Sequence, residues 1–203
     1  MATPEGYARN PELVINFYNE RRKQLLDVVP NAGHLGVADL ERDFNVTVVT
    51  QNVDNLHERA GSTHVIHLHG ELTKVCSSRD PYNPHFVKEL APEEYEVKLG
   101  DKAGDGTQLR PFIVWFGESV PEIETAIRYV EQADIFVIIG TSLNVYPAAG
   151  LLNYVPRAAE VYLIDPKPVD THVMRPIHVI QKGASEGVKE LKALLAATQP
   201  PLL

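Results

Sequence analysis

Cysteine is almost missing from this chain: Cys76 is the only one among 203 residues. A single thiol excludes an internal disulfide and a four-cysteine zinc site, and it is compatible with a cytoplasmic location. Long apolar runs are missing too. No stretch of about 18 apolar residues and no signal-like amino terminus is found, which predicts a soluble protein. Basic residues are in deficit, 19 Lys and Arg against 27 Asp and Glu, for a formal net charge of −8. That argues against a general nucleic-acid or anionic-membrane binder, because such surfaces need an excess of cations, and leaves room only for a local basic patch. Repeats and low-complexity segments are absent. What the chain has is apolar content, 44%, enough for the core of one large domain or of one domain with a small appended module.

The stretch around which the chain is organised lies between two β-branched runs. Residues 46–50 read as a buried strand, so Gln51, Asn52, Val53 and Asp54 fall at its carboxyl end, where open α/β sheets bind ligands. A second run, residues 65–68, delivers His69 and Gly70. Taken singly, these residues read as structural, Asp54 as the cap of a helix over residues 55–60 that Gly61 ends. Upstream, residues 3–29 carry a helical pattern in which Leu13, Phe17 and Leu25 share an apolar face. Tyr18 and Arg21, three apart, are neighbours on that helix; the pair suits an anion, or is an ordinary solvated surface. A second helix over 32–41 follows, with His34 capping or bridging local backbone groups.

Residues 71–109 are rich in turn signals, and residues 110–118 return to a strand. Then come a helix over 122–133, a buried parallel strand over 134–139 ending in Gly140, Thr141 and Ser142, strands over 160–165 and 177–180, and a final helix from about Gly183. This alternation predicts an α/β fold, a Rossmann-like, doubly wound and mainly parallel sheet with helices on both faces. A small inserted module without zinc completes it. The expected organisation is one domain over 1–203, with residues 1–34 and 73–110 in the helical and loop module and 35–72 and 111–196 in the core. Residues beyond Thr198 are expected to fray.

The strings Thr50-Gln51-Asn52-Val53-Asp54-Asn55-Leu56-His57, Ala60-Gly61 and His67-Leu68-His69-Gly70 together resemble the sirtuin family of NAD-dependent protein deacylases. The resemblance implies that Gln51, Asn52, Val53 and Asp54 line the nicotinamide and ribose pocket. It makes His69 the catalytic base, with Asn52 and Asp54 beside it, and leaves His57, His64 and His67 without that role. A histidine suits the task because an imidazole ordinarily titrates near working pH. Gly140, Thr141 and Ser142 match the family's adenosine-side loop, Asp165 stands where sirtuins usually place an asparagine near the adenine-bearing ribose, and Ala184 lies where the family contacts adenine. Val114, Phe116 and Gly117 correspond to the segment along the substrate peptide, which adds as a strand. Tyr18 and Arg21 resemble the pair with which some sirtuins hold succinyl and malonyl groups.

The implied cofactor is NAD and the implied partners are proteins or peptides bearing acylated lysine. Many sirtuins fold a zinc module with two cysteine pairs between residues corresponding to 71 and 109; with Cys76 alone, zinc is not expected, and Tyr82, Phe86, Leu90, Tyr95 and Val97 are expected to pack the insert instead. A sirtuin also opens with a strand, a Gly-Ala-Gly turn and a Phe-Arg loop, none of which occurs here. The expectation is an amino-terminally incomplete domain with weakened NAD affinity, whose open strand edges rearrange or pair with another copy into a homo-oligomer. A second functional reading is a remnant with little catalysis that binds a nucleotide, acyl-lysine or a partner.

Overall fold

The computed structural model describes residues 2–141, 148–168 and 175–198. They group into two compact units, one drawn from residues 1–29, 49–55 and 67–122, the other from 30–48, 56–66 and 123–203.

In the first unit, Thr3 caps α1 (Pro4–Arg9) and Asn10 caps α2 (Pro11–Asp27), accepting from Leu13 N at 3.0 Å. The single helix expected over 3–29 is therefore two. Pro11 drives the residue before it out of helical space, and Asn10 accordingly sits at φ −152° and ψ 81°. The buried face of α2 also differs from expectation. Leu13 is 52% exposed, and the inward positions include Val14, Ile15, Tyr18, Asn19, Arg22 and Leu25. Two polar residues face inward because the loop before residue 98 supplies their partners. Asn19 donates to Val97 O at 2.8 Å and accepts from Val97 N at 3.0 Å, and Arg22 donates to Tyr95 O at 2.7 Å, to Leu72 O at 3.4 Å and to Asn19 Oδ1 at 2.6 Å. Burial lowers the Arg22 pKa to about 10, still charged at neutral pH.

The insert is thus docked by amide pairing as well as by apolar contact. Val97 packs with Ile15 and Val75, flanked by Tyr7, Leu90 and Leu109, whereas Tyr82 is an exposed residue rather than the packing residue expected. Strand β3 (Gly70–Ser77) pairs antiparallel with β4 (Lys88–Glu89) and β5 (Leu109–Ile113), in the order β4-β3-β5. At its end, Ser77 Oγ donates to Asp105 at 2.6 Å, and Thr107 donates to the same carboxylate from Oγ1 at 2.7 Å and from N at 3.0 Å. The Ser77 bond first, then those from Thr107, hold the Asp105 carboxyl at about 2 against an ordinary 3.8. A carboxyl depressed in the folded state stabilises above its unfolded value and loses that contribution as pH falls through the folded one. The stability difference between parent and Asp105→Asn, measured by denaturant unfolding, is therefore expected to shrink from about pH 4 to about pH 2. A difference that stays constant with pH would reject this account of the loop.

In the second unit, Asn31 caps α3 (Ala32–Asp39), and His34 Nδ1 accepts from Asn31 N at 3.2 Å, completing a reciprocal capping box. His34 caps local backbone, as expected. Helix α4 (Leu56–Ala60) ends at Gly61, whose φ of +107° is a left-handed conformation. Beyond α5 (Ile123–Val130), β6 (Ile135–Ile139), β7 (Glu160–Ile164) and β8 (His178–Ile180) form a parallel sheet in the order β6-β7-β8. Helix α6 (Ala184–Thr198) returns along it, and Val188, Leu191 and Leu195 pack with Val37, Leu40, Tyr162, Ile164 and Ile180. Gly187 permits this closeness: a Cβ there would lie 2.2 Å from Ile164 Cγ2.

β1 (Val48–Thr50) pairs with β2 (Val65–His67) in a separate two-stranded sheet. Val48 N donates to His64 O and Leu68 N to Thr50 O, each at 2.9 Å, the progression of a parallel pair. The α/β class with parallel ladders holds. The strands of the described residues are divided among three sheets, of which the one formed by residues 70–113 is antiparallel.

Candidate active site

The polar stretch after β1 is pinned residue by residue. Thr50 Oγ1 accepts from Asn52 N at 3.0 Å and turns the chain as the strand ends. Four successive carbonyls then receive bonds from one segment: Thr50 O from Leu68 N at 2.9 Å, Gln51 O from His69 Nδ1 at 3.2 Å, Asn52 O from His67 Nδ1 at 3.1 Å and Val53 O from Leu72 N at 2.7 Å. A loop so held presents its side chains from a fixed backbone. Asn52 is exposed, and Gln51, Val53 and Asp54 are half-buried. Next to them Asn55 Oδ1 is buried and has no hydrogen-bond partner among the described residues, an acceptor that suits a hydroxyl-bearing ligand such as a ribose.

The two histidines differ in access. Each Nδ1 faces a carbonyl, which only accepts, so each ring carries its proton on Nδ1 and its lone pair on Nε2. His67 is 9% exposed and buried in the sheet; His69 is half-buried, leaving its Nε2 the more accessible base. Gly70 follows at φ +84°, and a Cβ there would fall 2.1 Å from Phe112 O, so only glycine lets β3 and β5 meet behind the imidazole.

That meeting brings the candidate peptide segment to His69. Val114 N donates to His69 O at 2.9 Å and Phe116 N to Ala2 O at 3.0 Å. Phe116 is 75% exposed, and Gly117 turns the chain at φ +91°. Tyr18 reaches the same segment through Trp115, whose indole Nε1 donates to the Tyr18 hydroxyl at 3.0 Å. Arg21 does not join it: Arg21 is exposed and its guanidinium lies over the Phe17 ring, 5.2 Å from the centroid.

Sequence reasoning missed what holds this segment. Arg110 is buried, donates to Glu118 from two nitrogens at 2.7 and 3.0 Å and to Ile113 O at 2.7 Å, and lies over the Trp115 ring. Burial pushes the Glu118 carboxyl upward, but the bonds from Arg110 and from Trp115 N outweigh it and leave the group below its ordinary value. The available signal was a pair of opposite charges enclosing an apolar run, Arg110 to Glu118. Cys76 lies buried in β3, where burial first of all pushes its thiol up to about 12, the opposite of what a thiolate ligand needs. Among the described residues no cluster of three His, Cys, Asp or Glu could hold a metal ion.

In the second unit, the remaining candidates stand at carboxyl ends of parallel strands. Gly140 follows β6 at φ +62°, and among the described residues nothing lies within 4 Å of an added Cβ. Thr141 comes next; Ser142 lies outside the described residues. Asp165 follows β7, its Oδ1 accepting from Lys167 N at 2.8 Å, and Ala184 opens α6 after β8. Strand ends and a helix start of this kind form the usual ligand edge of an α/β sheet.

Known proteins share this arrangement. A Sir2 homologue crystallised with NAD superposes with a TM-score of 0.82 at 35% identity, over 98% of this chain and 77% of that one. A Sir2 structure with a p53 peptide and NAD+ gives 0.76 at 27% identity, over 96% and 82%. An NAD-dependent protein deacylase of Bacteroides thetaiotaomicron is 83% identical over 195 residues, 96% of this chain and 83% of its own. One from Helicobacter pylori is 47% identical over 191 residues, 94% and 81%. The Sir2 family model matches residues 1–147, which include His67, His69 and the pinned loop, and the chain belongs to the Sir2 family.

Proposed function

We propose that this chain is an NAD-dependent protein deacylase that removes acyl groups from lysine side chains of proteins or peptides. The observation that carries the proposal is the His69 imidazole with its proton held on Nδ1 by the Gln51 carbonyl at 3.2 Å. Its Nε2 is then a ready acceptor for a proton from a ribose hydroxyl. NAD, when bound, would supply an electrophilic ribose carbon with nicotinamide as leaving group, and its ADP-ribose portion would be the acceptor of the acyl group. The residues present suit it: Gln51, Asn52, Val53 and Asp54 on the pinned loop would hold the nicotinamide ribose, with the unpartnered Asn55 Oδ1 next to them, and Gly140, Thr141, Ser142, Asp165 and Ala184 the adenosine portion. Val114, Phe116 and Gly117 would line the peptide; they follow β5, an edge of its sheet among the described residues, and an extended peptide adds along such an edge. No described helix is long and apolar enough to cross a membrane. We place the activity in the cytoplasm, with no zinc. The test is nicotinamide release from NAD with an acyl-lysine peptide. Release is expected only with both present, and deacylation without NAD would overturn the proposal.

Acidic acyl groups are the preferred class. Tyr18 and Arg21 support this reading, Tyr18 through its tie to the peptide segment and Arg21 through a guanidinium that no ion pair holds among the described residues. A charge-assisted bond is worth about 1.5–3 kcal/mol, so succinyl- over acetyl-lysine should be favoured about 10- to 150-fold, and Arg21→Met should erase that margin. Equal kcat/KM on the two peptides in the parent would sink the reading.

A further inference from the structure

Trp115 is the only tryptophan of the chain, and it is 2% exposed. Its ring is held on several sides. The Arg110 guanidinium lies 3.5 Å from its centroid, the Tyr7 ring is centred 5.2 Å away at a tilt of 38°, and its backbone N donates to Glu118 Oε2 at 2.8 Å. A side chain so packed cannot change rotamer without breaking these contacts, so the direction of its indole N–H is fixed.

That N–H donates to the Tyr18 hydroxyl oxygen. An indole N–H never accepts, which decides the role of the hydroxyl. One oxygen lone pair is engaged by Trp115, and the phenolic proton must point elsewhere. Among the described residues nothing accepts that proton, although Tyr18 is only 5% exposed. A buried donor without an acceptor is unfavourable unless a ligand supplies one. Burial chiefly, against the Trp115 bond, also raises the Tyr18 pKa, so the group stays protonated at neutral pH and is a donor only by that proton.

We propose that Trp115 is a positioning residue for acyl selectivity: its N–H holds the Tyr18 oxygen and so aims the Tyr18 proton at the carboxylate of a succinyl- or malonyl-lysine. An acetyl group offers no acceptor at that place. The inference rests on the reading of Tyr18 and Arg21 as the acyl-binding pair, and adds the residue that orients one of them. A phenylalanine at 115 would keep the stacking and free the hydroxyl to rotate.

The experiment measures affinity by calorimetric titration of the full chain with a succinyl-lysine peptide and with its acetyl-lysine twin, and reads their ratio, which is independent of the active fraction. Tyr18→Phe is expected to lower the succinyl preference about tenfold, and Trp115→Phe about three- to tenfold, consistent with one hydrogen bond to a charged group. The double variant is expected to fall no further than Tyr18→Phe, because Trp115 acts through that hydroxyl. As a second readout, the succinyl peptide should shift the emission of Trp115 in the parent and not in Tyr18→Phe. Equal affinities for the two peptides in the parent would overturn the acyl-pair reading and this inference with it. A full preference in Trp115→Phe alongside its loss in Tyr18→Phe would overturn this inference alone, and so would additive losses in the double variant.

Discussion

His69→Ala is expected to reduce NAD-dependent deacylation about 100- to 10,000-fold, the usual contribution of a positioned acid-base group. The size of the effect follows from geometry. The Gln51 carbonyl holds the proton on Nδ1, so the lone pair available for a ribose hydroxyl resides on Nε2, and alanine removes it with no nearby group able to substitute. His67 is the neighbouring imidazole, and it is buried. The loss should appear in kcat while peptide affinity changes little, because the hydrogen bond that ties His69 to the peptide segment is made by its backbone carbonyl, which alanine retains. Single-turnover measurements with an acyl-lysine peptide separate the two. A variant within tenfold of the parent would show that another group takes the proton.

Arg110→Met should have the largest effect on stability. Removing one partner of a buried ion pair leaves the other charge uncompensated and costs about 3–5 kcal/mol, against a net stability of about 5–15 kcal/mol for a domain. Arg110 and Glu118 are both largely withdrawn from water, with side-chain exposures of 5% and 14%. Methionine keeps the length of the side chain but neither the fork to Glu118 nor the bond to Ile113 O. The pH dependence is a sharper check than the magnitude. In the parent the Glu118 carboxyl is depressed, so its contribution is present above the unfolded value and lost as pH falls through the folded one. In Arg110→Met burial acts on the carboxyl with no guanidinium to oppose it, so protonation relieves the variant, and the gap to the parent should narrow towards acid. Arg110→Met with Glu118→Gln should recover part of the loss. Denaturant unfolding from pH 4 to 8 decides the matter, and a gap that widens towards acid would contradict the ion-pair account.

Much of the local structure follows from sequence alone, because its causes lie within a few residues. Asn31 caps α3 whatever surrounds it, with His34 three residues on to reciprocate, and Gly61 stops α4 because it adopts a left-handed conformation without a Cβ clash. The parallel strands from β6 to β8 are announced by their unbroken apolar runs. The family was legible because the strings between Thr50 and Gly70 resemble the sirtuin motifs, although each residue taken singly also has a structural reading.

The rest depended on partners distant in the chain. Asn19 and Arg22 look like solvated positions of α2, yet both are buried, because Leu72, Tyr95 and Val97 bring backbone groups that only they can satisfy. That pairing, 50 to 78 residues apart, rotates the buried face away from Leu13, and no periodicity within the helix encodes it. The antiparallel β4-β3-β5 sheet is likewise a matter of non-local hydrogen bonds, for which the turn-rich sequence between residues 71 and 109 holds no register. Sequence by itself determined the class of fold, the family and the identity of the candidate base. Tertiary structure decided which nitrogen of His69 carries the proton, which of two neighbouring histidines is the more exposed and that the Tyr18 oxygen accepts from Trp115, because each depends on groups that approach from another part of the chain.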